Sequence, residues 1–435
     1  MEAALKAKVQ KVAAITEALA DLHQPHLEFT LLRSCLALPK IMFLLRSTDT
    51  STSPHILAQF DSITREALGR IIGGPLSDKE WAQAKLPIPM GGVGMRAAQD
   101  HGPMAHAMSF LASRPLISKL LGDDAQHGDD DDQPFTLPDT LLNSISGKMG
   151  EEVDTEYLIS ARQRDASLRI DQHNLQLLSQ QFTREEDVRD IARLASLSIA
   201  NSHAGDWLTA LPSPSLGLLL KPPEFVAAMR YRLGHHIFSS DGPCPACRQP
   251  SDRLGDHAMN CAWQGERIAR HNWLRDELFN TAVAASLGPT REGRALLPGE
   301  GGKPADVFLP HWAQGKDAAL DVTVVNPLQG AMVHQAAAVP GHALQAAHKR
   351  KLDKSWEPCH RQGITFLPIA VESLGAWHPL AVKEVKKLAS AKARHTGEEE
   401  SVEVNRLFQK LSVALMRGNA ALFNNRAPYQ AGDET

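Results

Sequence analysis

The stretch that decides the fold is Asp306-Val307-Phe308-Leu309, then a polar connection containing Gly315, then Ala319-Leu320-Asp321-Val322-Thr323-Val324-Val325. Two runs rich in β-branched and apolar residues, joined by a polar segment with glycine, are typical of a β-hairpin. If the hairpin is symmetric, its midpoint falls within the connection and Asp306 lies directly opposite Asp321, with Cβ atoms about 4.5–5.5 Å apart. The sequence therefore predicts two carboxylates side by side on neighbouring strands.

The period of two along a strand separates these residues into two faces. One face, predicted to be core, carries Val307, Leu309, Leu320, Val322 and Val324. The other face carries Asp306, Asp321 and Thr323. Two carboxylates this close repel each other unless a cation neutralises them, and oxygen ligands favour Mg²⁺ or Mn²⁺. Such a site suits metal-assisted phosphodiester hydrolysis; the alternative is an ordinary hairpin whose polar face is turned to solvent.

A second cluster of chemically active residues precedes the hairpin. Cys244, Cys247, His257 and Cys261 have the spacing C-x2-C-x9-H-x3-C. Two thiolates on a tight turn, and an imidazole and a thiolate one helical turn apart, can converge on one tetrahedral zinc ion. With all four positions filled, we expect a structural metal rather than a catalytic one. A disulfide or an empty, degenerate site is the alternative.

The charge of the chain is unevenly distributed. The 435 residues carry a net charge of −4, but residues 341–395 carry +6 when His is left out. The basic residues Lys349, Arg350, Lys351 and Lys354 fall on one predicted helix after the hairpin. Phosphate backbones bind to such patches, although a solvated helix face would explain the charge equally.

Three further donors precede the hairpin: Arg270, His271 and Arg275 lie on the helix predicted for 263–286. We expect them to contact nucleic acid, and a plain surface helix is the competing interpretation for each.

Several classes of protein are not supported by the sequence. No run approaches about 18 apolar residues, and residues 1–22 lack the apolar core of a signal peptide, so we expect neither a membrane-spanning nor a secreted protein. Five cysteines are too few for a disulfide scaffold of this length, which favours a reducing compartment. Gly92–Ala97 matches a dinucleotide fingerprint, but Pro87 and Pro89 exclude the strand that it requires, so no nucleotide cofactor is expected.

The C-terminal half resembles a known family. Cys244…Cys247…His257…Cys261, Arg270-His271-Asn272, Lys303-Pro304-Ala305-Asp306 and Leu320-Asp321-Val322-Thr323-Val324 look like the restriction-like endonuclease domain of some non-LTR retrotransposon polyproteins. The resemblance covers about 205–395. It implies a PD-(D/E)XK nuclease core, with a mixed sheet flanked by helices, that nicks a DNA target with Mg²⁺ or Mn²⁺.

By position, the resemblance makes Asp306 the first acid of the motif and Asp321 the second, with Glu292 as the weakest assignment of a further acid. Lys303 would contact nucleic acid. Thr323 stands where the motif has lysine; the family often moves that lysine to the next helix, which implies a catalytic Lys351 or Lys354.

The N-terminal half resembles the helical region after the polymerase palm of the same polyproteins, in Leu31-Leu32-Arg33-Ser34-Cys35, Pro39-Lys40 and Gly91–Arg96. The palm itself is missing, so we expect the back half of a mobile-element protein, with a DNA target, possible binding of element RNA and a nuclear location. The alternative function is a catalytically decayed, zinc-containing nucleic-acid-binding remnant.

The expected fold class is therefore an α-helical N-terminal half followed by an α/β domain of restriction-endonuclease type, with a small zinc module. The predicted segments are a thumb-like helical region at 1–115, an acidic linker at 116–150, a helical connector at 151–240, the zinc module at 241–265, the nuclease domain at 266–395 and a helix with a tail at 396–435. The first helix, with apolar residues from Leu5 to Leu22 at spacings of three and four, is expected to pack on its own domain rather than to form a coiled coil.

Overall fold

The computed structural model describes residues 2–50, 53–121, 137–183, 185–291 and 305–427, which are mostly helical. The chain divides into two compact units, one of residues 1–87 and 92–181 and the other of residues 88–91 and 182–435. Glu292, Lys303 and residues 122–136 of the predicted acidic linker lie outside the described residues. Within the described ranges, no helix has both the length and the apolar character that crossing a bilayer requires.

The first unit is built from nine described α-helices: α1 (Glu2–Leu19), α2 (Pro25–Leu31), α3 (Leu38–Ser47), α4 (Pro54–Ile72), α5 (Asp78–Lys85), α6 (Ala98–Leu121), α7 (Asp139–Met149), α8 (Thr155–Ser160) and α9 (Gln163–Gln180). The apolar stripe of α1 is buried through Leu5, Val9 and Val12, which share a core with residues of α3 and α4. This confirms that the first helix packs on its own domain.

The interval predicted as a linker is partly helical. Leu141, Ile145 and Met149 of α7 are buried at spacings of four and join a core with α6 and α9. Because these residues repeat at the period of a helix, their burial orders the segment. The predicted linker, 116–150, was therefore too wide at both ends, since α6 runs to Leu121.

The second unit contains all the described strands. Its helices are α10 (Val188–Leu197), α11 (Asp206–Thr209), α12 (Pro222–Leu233), α13 (Asp256–Asn260), α14 (Glu266–Ala284), α15 (Val333–Ala338), α16 (His342–Arg361), α17 (Pro379–Thr396) and α18 (Glu400–Asn424). Its strands are β1 (Gly242–Pro243), β2 (Pro250–Ser251), β3 (Thr290–Arg291), β4 (Val307–Ala313), β5 (Lys316–Val325) and β6 (Thr365–Glu372). The segments predicted as the connector after Gln181, the zinc module, the nuclease domain and the last helix lie in one compact unit, in which α18 packs against α11, α12, α14 and α17.

The larger sheet is mixed, with the strand order β3-β4-β5-β6. The first two pairings are antiparallel, and β5 pairs with β6 in parallel. A parallel pair requires a crossover connection, and α15 and α16 supply it. The second unit therefore has the mixed sheet with accompanying helices that the sequence predicts.

The hairpin has the predicted register near its open end. Val307 pairs with Leu320, and the amide of Asp306 donates to the carbonyl of Leu320 at 2.8 Å, so Asp306 stands opposite Asp321. Gln314 and Gly315 form the turn with φ of 53° and 73°, which suits a tight hairpin turn. The register shifts between Leu309 and Ala313, where three residues of β4 lie opposite one residue of β5.

The division of faces is only partly as predicted. Val307, Leu309, Leu320 and Val322 are buried, whereas Val324 is half-buried. The face of the two acids is covered too. Ala319 packs with Leu352 and Cys359 of α16, and Val325 packs with Ala343, Leu344 and Ala347 of the same helix. The acids therefore lie between two apolar patches rather than on an open polar face.

Glu372, at the end of β6, is fully buried, and neither of its carboxyl oxygens has a hydrogen-bond partner within 3.5 Å among the described residues. Burial raises the pKa of Glu372 to about 8, and the nearby Ser196 hydroxyl offsets only part of this effect. The folded protein therefore holds a proton on Glu372 that the unfolded chain, with a pKa near 4.5, releases.

A pH titration of stability should detect this proton. Because the folded-state pKa is the higher one, the stabilisation is complete below pH 4.5 and is lost as the pH rises towards 8, at up to about 1.4 kcal/mol per pH unit. Glu372→Gln has no proton to lose at this position. Its Tm should therefore rise relative to the Tm of the parent protein as the pH increases from 5 to 8. Glu357→Gln, at an exposed position on α16, is the control; a constant difference between Glu372→Gln and the parent would contradict the assignment.

Candidate active site and metal centre

The two aspartates predicted from the hairpin converge in the structure, each with its own cationic or hydrogen-bonding partner. Asp306 Oδ2 accepts from the amide of Val322 at 2.7 Å and lies 2.9 Å from Nε2 of His271. Lys351 Nζ lies 3.0 Å from Oδ1 and 2.8 Å from Oδ2 of Asp321. The side chains of the two aspartates are 19% and 15% exposed. The cluster is thus shielded from bulk water yet reachable from it.

The two carboxyl groups differ in their affinity for protons. The pKa of Asp321 is raised to about 6, chiefly by burial and also by the charge of Asp306, while Lys351 acts in the opposite direction. Burial also disfavours the charged form of Asp306, but the hydrogen bond and charge of His271, together with the amide of Val322 and the neighbouring Asp321, outweigh burial and hold the pKa of Asp306 below its usual value. The oxygen donors of the pair suit a hard divalent cation.

Lys351 reaches Asp321 because α16 packs along the face of the acids. Leu352 and Cys359 contact the Ala319 end of this face, and Ala343, Leu344 and Ala347 contact the Val325 end. Lys351 lies between these two groups along the helix and so meets Asp321 between Ala319 and Val325. Lys354, the other candidate, is exposed. The structure therefore brings one of the two candidate lysines to the acids.

His271 reaches Asp306 from α14. It lies three and seven residues before the buried Leu274 and Leu278, which is the spacing of one helix face. Sequence reasoning assigned His271 to nucleic-acid contact and missed its bond to Asp306. The signal that could have found it is this spacing, which places His271 on the apolar face of its helix.

Arg270 does not have the predicted position. It is 4% exposed, and its guanidinium donates to Oδ1 of Asn419 and to the sulfur of Met259, both at 2.8 Å. A Cβ at Gly418 would lie 2.5 Å from Arg270 Cγ, so a glycine of α18 makes room for the side chain. The prediction that Arg270 contacts nucleic acid does not fit this interior position.

The other predicted contact residues differ in exposure: two are exposed, Arg275 is largely buried with a side chain 12% exposed, and Lys303 lies outside the described ranges. Lys349 and Arg350 are exposed on α16. Arg275 hydrogen-bonds to Asp276 at 3.0 Å, so its charge is partly neutralised within α14. The structure does not describe Glu292 and Lys303.

A cleft of about 430 Å³ lies beside the acids. Its lining includes Gly265, Arg267, Ile268, His271, Val324 and Lys351. Both partners of the acids thus line the cleft, together with a further arginine from α14. A ligand in this cleft would lie beside the carboxylate pair and against positive charge.

The Cys/His cluster is arranged to hold a metal ion. The ligand atoms of Cys244, Cys247, His257 and Cys261 all lie within 4.8 Å of one another, and Cys247 Sγ is 3.2 Å from His257 Nε2. Tetrahedral zinc with Zn–S bonds near 2.3 Å requires sulfur atoms about 3.8 Å apart. Three sulfurs and one imidazole are also the donors that zinc prefers.

The surroundings fix the positions of these four residues. The short β1–β2 hairpin carries Cys244 and Cys247, and the amide of Cys244 donates to Gln249 at 2.8 Å. The carboxylate of Asp252 accepts from the amide of His257 at 2.8 Å and so holds the start of α13. Burial disfavours the thiolate of Cys261, but the nearby Arg426 guanidinium, the backbone of Trp263 and Cys247 together outweigh burial and lower the pKa of that thiol.

No family model matches the chain. A segment of 70 residues, which is 16% of this chain, is 34% identical to the retrotransposable element SLACS 132 kDa protein of Trypanosoma brucei gambiense. The segment covers 6% of that protein. This limited likeness supports a retrotransposon origin for the chain.

Proposed function

We propose that this protein is a divalent-metal-dependent DNA endonuclease of restriction-like type, derived from a non-LTR retrotransposon. The observation that supports the proposal most strongly is the meeting of Asp306 and Asp321 with Lys351 and His271 beside a cleft. A carboxylate pair with an adjacent lysine is a common arrangement for hydrolysing phosphodiesters with Mg²⁺ or Mn²⁺. The likeness to a retrotransposable element protein is consistent with DNA as the substrate.

Each residue has a proposed task. Asp306 and Asp321 hold the divalent ion, which when bound neutralises phosphate charge and makes water a better nucleophile. Lys351 donates to the negative charge that develops on the phosphate, a role in which a fixed cation is most effective because the site is half-buried. His271 fixes the orientation of the Asp306 carboxylate by hydrogen bonding to Oδ2.

The exposed basic residues of α16 provide a surface on which the phosphates of the substrate can bind. Lys349, Arg350 and Lys354 lie on the helix that carries Lys351, and all three are exposed. Phosphates bound along this helix would be led towards the cleft. The Cys/His cluster is proposed to hold a structural zinc ion, because all four positions of the tetrahedron are occupied by protein ligands.

A second candidate function is nucleic-acid binding by a decayed nuclease. Thr323, which stands in the place of the motif lysine, is 8% exposed and has no charge to offer. In this case the basic helix and the zinc centre would keep their tasks while cleavage is lost. Binding of DNA without cutting distinguishes this candidate.

Loss of either acid should abolish cleavage. With Mg²⁺ and supercoiled plasmid, Asp306→Asn and Asp321→Asn should each lower the nicking rate by at least about 100-fold, because each removes a metal ligand and a charge. Asp353→Asn changes an exposed aspartate on α16 and should retain the parental rate. If the parent binds the plasmid but both site variants match its nicking rate, the endonuclease proposal is wrong.

The two lysines should behave differently. Lys351→Met removes the cation on Asp321 and should lower nicking by about 100-fold. Lys354→Met, three residues along the same helix, removes only an exposed charge and should weaken plasmid binding slightly while leaving the rate at saturating DNA unchanged. Gel-shift and nicking assays on the same preparations separate binding from cleavage, and the reverse order of effects would transfer the catalytic task to Lys354.

Each chain should bind one zinc ion, and the bound zinc should stabilise the fold. Metal analysis of purified protein should give one zinc per chain, and removal with a strong chelator should lower Tm by at least about 5 °C, since a structural zinc contributes directly to folding. Cys247→Ser should lose the zinc, whereas Cys35→Ser, at an exposed cysteine outside the cluster, should keep it. Equal zinc content in both variants would show that the cluster is not the binding site.

A further inference from the structure

One buried arginine connects the last helix of the chain to the Cys/His cluster. Arg426 follows α18 and is 0% exposed. Its guanidinium donates to the carbonyl of Trp263, lies 2.7 Å from Oε2 of Glu266 and lies beside the sulfur of Cys261. These partners span the link from the last cysteine of the cluster to the first turn of α14. Arg426 therefore sits at the junction between the metal centre and the nuclease helices.

The chemistry of the cluster explains why a cation is placed there. A zinc ion with three thiolates and one neutral imidazole carries a net charge of −1, and Cys244 and Cys261 are buried. A buried charge is costly unless it is paired and hydrogen-bonded. A guanidinium can bond to several acceptors in fixed directions, so Arg426 can bind Glu266 and a thiolate at the same time.

An orphaned group at the same place strengthens this argument. The Nε atom of Arg426 is buried and has no hydrogen-bond partner among the described residues. An arginine kept in the interior only to pair with Glu266 would not require a third direction of bonding. A negatively charged metal–thiolate centre would give the remaining positive charge of this side chain a use.

We infer that Arg426 is a positioning residue of the metal centre, which stabilises the zinc-bound thiolate of Cys261 and thereby locks the end of α18 onto the zinc module. This inference rests on the structural zinc proposed above. Hydrogen bonds to ligand atoms commonly alter metal affinity by about 10- to 100-fold. Loss of zinc should, in turn, loosen the end of α18.

The test measures zinc affinity by competition with a chromogenic chelator in full-length protein. Arg426→Met should bind zinc about 10- to 100-fold more weakly than the parent. Arg417→Met is the matched control: Arg417 is also on α18, but it bonds to the carbonyl of Leu219 at 3.1 Å, outside the cluster, and its zinc affinity should be unchanged. Replacing zinc with Co²⁺ adds a spectroscopic readout, because the sulfur-to-cobalt charge-transfer band should shift in Arg426→Met and stay in place in Arg417→Met.

The outcomes separate this inference from the proposals that it rests on. A parental chain that binds no zinc would refute the zinc site itself. A parent that binds zinc, with Arg426→Met showing the parental affinity and cobalt spectrum despite a lower Tm, would make Arg426 merely structural. If Arg426→Met does not fold, Arg426→Lys keeps the charge but not the fork of donors; about 3- to 10-fold weaker zinc binding supports the inference, and parental binding overturns it.

Discussion

The register between β4 and β5 is the constraint on which the candidate active site depends. The bond from the amide of Asp306 to the carbonyl of Leu320 sets Asp306 opposite Asp321. A shift of one residue would move Asp321 to the face of Leu320 and Val322, which is buried. The apolar residues of one face therefore enforce the position of the acids on the other, and the same pattern that builds the core builds the site.

Two half-buried carboxylates in contact can persist only with positive charge nearby, and two different helices provide it. Lys351 comes from α16 and His271 from α14. In each case apolar residues of the same helix fix the polar one: Leu352 and Cys359 beside Lys351, and Leu274 and Leu278 beside His271. The site is thus held by packing on both sides, which keeps the charged groups in place before any ligand binds.

The sequence was sufficient for what depends on short range. The hairpin, its register near Asp306 and Asp321 and the convergence of the Cys/His cluster all follow from spacing and alternation. Alternation tells which residues share a face, but not that α16 covers the face of the acids. Likewise, the residues near Arg270 in the sequence do not indicate that Gly418 and Asn419, far along the chain, provide it with an interior position.

Both clusters hold acidic side chains close together, and in both a cationic side chain lies beside them. The acidic side chains are two carboxyl groups in one cluster and three thiols in the other, and each cluster has a cationic partner from later in the sequence, on α16 in one case and just after α18 in the other. Lys351 faces Asp321, and Arg426 faces Cys261. Until those later segments pack, Asp321 and Cys261 lack these cationic partners. Neither cluster therefore has all its partners until the second unit has folded, which ties the geometry of the hairpin and of the Cys/His cluster to the folding of the whole unit.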